Sequence, residues 1–436
     1  MRKKRSLVAL AAAVLLSLTA ACSTGSDAGS NDAEGKVQEV TFWSFLRGSD
    51  TVAAAFNKTH PGIKVKFVTM PATTTDYYTK LSNAIKSGDV PDVAVSEYTR
   101  LPEIVSLGGA TDLSDQAGSL VDKNFPDSIQ NLVQLGDKTW AVPRDASPMV
   151  YFYRKDFFTK NHLTVPKTWA NYKKLLAKVK SIDSGKRAGA YLNGNYNLLT
   201  SMAWQAGGNW FGTEGDSWKI GIDNAASLKV ASYWQGLVKD GLVSTLPDYT
   251  DQFWSDIQKG SLVGYFCASY CAGNLKATVP DESGDWAVAQ LPSWDGTTTS
   301  SMWGGSSFIV PKGAKHSEAA LEFIKWITTE ADGVKAWYAN DATSMYPAKQ
   351  SLVTTAKSQF STDYFGGQDI FAELTASYDA VVPDWRWGPT MATTETAFDD
   401  RLGKVTSGSA DLTDVFRQVQ DATVKATEAR GLTVAK

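Results

Sequence analysis

Two rhythms of apolar and polar positions run through the first hundred residues. Val40-Thr-Phe-Trp-Ser-Phe45 and Pro91-Asp-Val-Ala-Val95 are short runs rich in β-branched and aromatic residues, and Ile63-Lys-Val-Lys-Phe67 alternates strictly, so all three read as strands. Between them the apolar spacing is that of a helix. Val52, Ala55 and Phe56 share one face after a capping Asp50, and Pro61-Gly62 stops that helix. Tyr78, Leu81 and Ile85 share the next face, from Asp76 to about Gly88. Strand, helix, strand, helix, strand is the pattern of a parallel sheet wrapped by helices. In open sheets of this kind ligands bind just past the strand C-termini, which nominates Trp43 to Arg47 and Ser96 to Tyr98.

A second α/β region begins near Met149. Thr168 caps a helix with Trp169, Tyr172, Leu176 and Val179 on its inner face. Further helices are predicted at 225–238, 250–258, 317–328, 332–338 and 412–429; Leu412, Val415, Phe416 and Val419 form the stripe of the last, and Trp254 falls on a helix as a core residue. No repeat of about 20–50 residues is visible, which argues against solenoids and propellers.

The first 37 residues follow neither rhythm. A cationic start, Met1-Arg-Lys-Lys-Arg5, precedes an apolar stretch from Leu7 to Leu18, small residues Ala20 and Ala21, and then Cys22. The stretch is too short to span a bilayer as a mature helix. It resembles a bacterial lipoprotein signal cleaved before Cys22, with Thr19 where such signals usually carry Leu; the competing reading is an ordinary secretory signal. The resemblance implies a lipid on Cys22 and a location outside the cytoplasm on the membrane's outer face. STGSDAGSNDAEG, from Ser23 to Gly35, reads as a flexible tether.

Composition narrows the remainder. Of 436 residues, 43 are Lys or Arg and 46 Asp or Glu, a formal charge of −3 that offers no basic stripe for nucleic acid. Three histidines at His60, His162 and His316 read as surface positions, so no metal or cofactor is called for. Cys267 and Cys271, four apart, are too few for a zinc site; in an exported chain they read as a local disulfide, with free thiols as the alternative. No nucleophile elbow, zinc-protease helix, phosphate loop or dinucleotide fingerprint is present. The excess is aromatic, with 15 Trp, 16 Tyr and 18 Phe, many beside Gly, Asn and Asp as in a partly wet cleft.

The run from Trp140 through Ala-Val-Pro-Arg-Asp-Ala-Ser-Pro-Met-Val-Tyr to Phe157 resembles a signature of bacterial extracellular solute-binding proteins, the carbohydrate branch related to maltose-binding protein. In order, His60-Pro-Gly-Ile-Lys-Val65, Gly88-Asp-Val-Pro-Asp-Val93, Val165-Pro-Lys-Thr-Trp169, Gln205-Ala-Gly-Gly208, Gln258-Lys-Gly-Ser-Leu-Val263 and Trp303-Gly-Gly-Ser-Ser-Phe308 look similar too. The resemblance implies an α/β, two-lobed fold, each lobe a mainly parallel sheet wrapped by helices, with hinge strands between. It places lobe 1 at 38–147 plus 304–345 and lobe 2 at 148–303 plus 346–436, after a signal at 1–21 and a tether at 22–37. Crossings are expected near 146–150, 301–305 and 344–349. It implies a monomer that is not an enzyme, captures a sugar and delivers it to the membrane permease subunits of an ABC importer.

Sugars present hydroxyls at their edges and C–H patches on their faces, which flat aromatics and polar side chains complement. Trp43, Arg47, Glu97 and Tyr98 qualify as strand-end residues, Trp43 competing with a core role. Asp145 qualifies within the signature, with a hinge salt bridge to Arg144 as the alternative. Trp303, Gly304 and Gly305 let backbone approach a ligand. Asn195, Tyr196 and Asn197 form a polar-aromatic loop with Asn193. Ser269 and Tyr270 lie between the two cysteines. Trp385, Arg386 and Trp387 sit in a non-periodic stretch read as a cleft wall, and Tyr364 to Asp369 has the same character. The rival readings are a secreted glycoside-active enzyme using Asp145 and Glu97, or a receptor for a non-sugar solute.

Overall fold

Where the chain leaves one sheet for another determines which strand ends face each other, and hence where a cleft opens. The computed structural model describes residues 37–71, 74–247, 249–339 and 343–435. The expectations for the signal segment, for Cys22 and for the tether up to Lys36 lie outside the described residues.

The first sheet is ordered Ile63–Thr69, Gln38–Ser44, Val93–Glu97, Ser306–Ile309, Val142–Pro143. Its first three strands run parallel, with Phe42 opposite both Phe67 and Val93. Ser306–Ile309 enters from the other lobe and so runs antiparallel, setting Ser306 opposite Glu97. Phe42, Phe308 and Phe323 pack edge to face behind it, rings 5.2–5.7 Å apart. The helix Ser49–Thr59 starts one residue before the expected cap; the Ser49 hydroxyl lies 2.8 Å from Ser44 Oγ and 2.8 Å from the Leu46 carbonyl, tying the strand end to the helix. Asp92, within the Gly88–Val93 motif, has a structural job: it accepts bonds from Thr41 and from the amides of Lys315 and His316.

The second sheet is ordered Gly264–Ala268, Met149–Arg154, Trp286–Ala289, and both outer strands run antiparallel to the centre. Met149–Arg154 carries the chain away from the first lobe, whereas its neighbours return towards it, so Ala268 pairs with Met149 and delivers Tyr270 to the cleft. Parallel pairing in this lobe survives as single bridges such as Arg187 with Leu262. Thr168 caps Trp169–Ile182 by accepting the Asn171 amide at 3.2 Å, and Trp169, Tyr172, Tyr151 and Phe266 fill the core behind the sheet. Trp254 is only half-buried, against Phe253 and Tyr249. The long helices Met391–Thr406 and Leu412–Ala429 complete this lobe.

Three chain segments between the sheets lie side by side. Pro148 bridges to Met302, the Trp303 amide donates to the Ser147 carbonyl at 2.9 Å, and Asp145–Ala146 pairs antiparallel with Tyr346–Pro347.

Candidate functional site

The strand ends of both sheets converge on one cavity of about 690 Å³. From the first lobe come Phe45, Leu46 and Arg47, just past the first strand, and Glu97, the last residue of the third, with Thr99 and Arg100 beyond it. The crossing segments add Arg144, Asp145 and Trp303 to Ser306. From the second lobe come Asn195 to Asn197, Tyr270 and, from the helix Met391–Thr406, Glu395 and Asp399.

Local geometry explains how these residues are held. Gly305 sits at φ +100°, and a Cβ there would come within 2.7 Å of the Tyr98 ring, so only glycine lets the crossing strand lie this close. Asn195 Oδ1 accepts both the amide and the side-chain nitrogen of Asn197 at 2.9 Å, turning the chain into the helix Asn197–Gln205. Tyr196 is presented by stacking on Phe398, centroids 5.9 Å apart.

Asp145 joins the cavity and the hinge. Its Oδ1 accepts the Ser306 amide at 2.7 Å and its Oδ2 the Arg144 guanidinium at 2.8 Å. The guanidinium lies 4.1 Å from the Trp337 ring centroid. Burial pushes the Asp145 carboxyl upward, and Arg144 and the Ser306 amide oppose that push. The hinge salt bridge considered from the sequence is therefore present.

Glu97 faces the cavity and is otherwise walled in by protein. Burial pushes its carboxyl up to about 7; Arg100 and the Tyr78 hydroxyl pull it down, while Glu395 and Asp145 push it further up. Links cross the cleft from the first lobe to the second, among them the Arg100–Glu395 ion pair and the bond Arg47 donates to Asn274 Oδ1.

Cys267 and Cys271 form a disulfide between the strand Gly264–Ala268 and the first residue of the helix Cys271–Thr278. Tyr249, which lines the cavity and holds a left-handed φ of +55°, places its hydroxyl 3.5 and 3.3 Å from the two sulfurs.

Several residues nominated from the sequence do not line the cavity, and each placement is corrected for a physical reason. Trp43 is still inside its strand, where the pleat turns it to the outer face under Lys80, 5.1 Å from the ring centroid. Tyr98 packs beneath Gly305, donating its hydroxyl to the Asp145 carbonyl at 2.8 Å. Ser269 is buried behind the wall, its carbonyl accepting the Ser344 hydroxyl at 2.9 Å. Trp385 and Trp387 belong to the second-lobe core, Trp385 stacked 5.0 Å from Trp204, and Arg386 is half-buried between them. Tyr364, likewise, bonds the Val279 carbonyl inside the second lobe.

Arg100, Tyr249, Asn274, Glu395 and Asp399 line the cavity without having been nominated. Arg100 lay within reach of the strand-end rule, three residues past Glu97; the others are brought in from distant segments by tertiary packing alone.

Residues 51–365 match the family described as bacterial extracellular solute-binding protein. The chain belongs to that family. This solute-binding protein is 25% identical over 399 residues to the arabinooligosaccharide-binding protein of Bacillus subtilis, covering 87% of this chain and 90% of the relative. It is 25% identical over 359 residues to a maltooligosaccharide ABC transporter solute-binding lipoprotein of Streptococcus pneumoniae, covering 79% and 80%. Its fold is similar to that of the galacto-N-biose-/lacto-N-biose I-binding protein of the ABC transporter from Bifidobacterium longum, solved with lacto-N-biose, with a TM-score of 0.81, 28% identity and coverage of 92% of this chain and 100% of that one. The two-lobed fold expected from the sequence is thus established for this solute-binding protein.

Proposed function

We propose that this protein captures a sugar, an oligosaccharide of few rings, between its lobes and delivers it to the membrane subunits of an ABC importer. The observation that carries the reading is the cavity at the lobe boundary, which combines aromatic faces with carboxylates and amides. Trp303, Tyr196, Tyr270 and Phe45 offer surfaces for ring C–H patches, and Glu97, Asn195 and Asn197 offer partners for hydroxyls. The names of the relatives point the same way.

The role is binding rather than catalysis. Asp145, half of the carboxylate pair an enzyme would use, already has one oxygen on Arg144 and the other on the Ser306 amide. A lipid on Cys22 then holds the protein, as a monomer, at the outer face of the cell membrane; the lipoprotein among its relatives supports this.

A thermal-shift screen of mono- and oligosaccharides tests the central claim. A true ligand at ~100 times its Kd adds about 2.7 kcal/mol to the native state and raises the midpoint. If no sugar moves the midpoint while an amino acid, peptide or polyamine does, the sugar reading is wrong. Cys22→Ser should release the protein from the membrane without altering ligand affinity; wild-type protein lacking lipid at Cys22 would remove the anchor from this account.

A further inference from the structure

We propose that the cavity discriminates by charge, accepting uncharged and basic sugars and rejecting acidic ones, with Glu97 as the discriminating residue. This rests on the sugar-binding reading and narrows its substrate class.

The argument is a charge balance. Among the described residues, four carboxylates line the cavity, Glu97, Asp145, Glu395 and Asp399, against three guanidiniums, Arg47, Arg100 and Arg144, with no lysine or histidine. An acidic sugar needs an arginine or lysine to receive its carboxylate or phosphate. Arg144 is taken by Asp145 at its edge and by Trp337 at its face. Arg100 is taken by Glu395, with Glu103 3.6 Å away. Arg47 donates to Asn274 and lies at the exposed rim, where water and salt screen it.

Four carboxylates against three guanidiniums leave the lining with one negative charge in excess, and Glu97 is the carboxylate walled in deepest without an ion pair. It has no ion-pair partner within 4.0 Å among the described residues, and the Tyr78 hydroxyl beside it accepts the Glu97 backbone amide at 2.8 Å. An incoming carboxylate would meet it in a site of low dielectric with no spare cation between them. A hydroxyl meets no such penalty. With its proton affinity raised to near neutrality, the Glu97 carboxyl can either accept a bond from a sugar hydroxyl or donate one to it. An ammonium group would be paired directly.

The test starts from each neutral disaccharide that raises the melting midpoint of the wild-type protein. Each hit is titrated calorimetrically beside its C6-oxidised uronic acid, the uncharged uronamide of that acid, and its 2-amino-2-deoxy counterpart. The acid is expected to bind at least about ten-fold more weakly than the neutral sugar, and the uronamide and amino sugar within a few-fold of it. Glu97→Gln, nearly isosteric, should narrow the gap between acid and uronamide several-fold. An acid that binds wild type as tightly as its uronamide overturns the inference and leaves sugar binding intact, as does a gap unchanged in Glu97→Gln. If sugars of every charge fail to bind, sugar binding itself falls and the inference with it.

Discussion

Arg100, at the end of the third strand's loop, forms an ion pair across the cleft with Glu395, from the first turns of a helix some three hundred residues later. Neither side chain is more than one-fifth exposed: 7% for Arg100 and 20% for Glu395. Glu103 strengthens the same seam, accepting the Ala392 amide at 3.1 Å and pairing with Arg430. The two lobes are therefore joined beside the cavity by charge as well as by the hinge.

Breaking this clasp should cost the closed form. Glu395→Gln keeps the shape and removes the charge, so ligand affinity is expected to fall about ten-fold, or ~1.4 kcal/mol. Titration calorimetry measures the loss, and small-angle scattering of the ligand-free variant should show a wider separation of the lobes. Wild-type affinity in Glu395→Gln would mean that the pair merely decorates the seam.

Two tryptophans separate binding from folding. Trp303 lines the cavity, so Trp303→Ala should weaken binding by roughly 5- to 150-fold, by analogy with ~1–3 kcal/mol for a stacked aromatic. Trp387 packs in the second-lobe core, so Trp387→Ala should cost ~3–5 kcal/mol of stability while the folded fraction binds normally. Chemical denaturation beside titration assigns each residue, and equal effects of the two variants on affinity would contradict the placement of Trp387.

The disulfide fixes one cavity wall. Thiol labelling of unreduced, denatured protein should find neither Cys267 nor Cys271 free. Replacing both with Ser should cost about 2 kcal/mol, since so short a loop yields little entropy. It should also weaken ligand binding several-fold, because Tyr270 lies within the bridged loop and Tyr249 rests on the sulfurs. Normal binding by the double variant would reduce the bridge to a stabiliser.

Glu97 makes stability depend on pH in the direction opposite to a salt-bridged acid. Its folded-state pKa, about 7, lies above its ordinary value of 4.5, so between these two the native state holds a proton that the unfolded state has lost. Wild-type stability should therefore carry a penalty that grows as pH rises from about 5 to 7 and then levels off. The penalty reaches at most about 3 kcal/mol, less to the extent that water in the cavity screens the charge. Burial sets this window first; the charges of Arg100, Glu395 and Asp145 and the neutral hydroxyl of Tyr78 around the carboxyl then adjust it. Denaturation at pH 5 and pH 8 should show Glu97→Gln gaining on wild type at the higher pH; a constant difference would show that Glu97 titrates normally.

Much of this molecule was readable from local rules. Alternation and helical spacing located the first three strands, the Thr168 cap and the stripe of the last helix, because each depends on backbone period and neighbouring residues alone. The strand-end rule led to Arg47 and Glu97 for the same reason. Direction was harder. Glu97 and Tyr98 are adjacent, yet one faces the cavity and the other packs under Gly305, a choice made by the strand's pleat and by the crossing segment laid against it. Trp385 and Trp387 lie in a stretch without periodicity, and nothing local told a cleft wall from a core plug; the indole of Trp204, far away in sequence, decided it. Glu395 and Asp399 reach the cavity because two long helices dock in the second lobe with one end against Arg100. Period and capping act within a few residues and are written in the chain, whereas a cavity joins side chains whose sequence separation carries no signal until the lobes have packed.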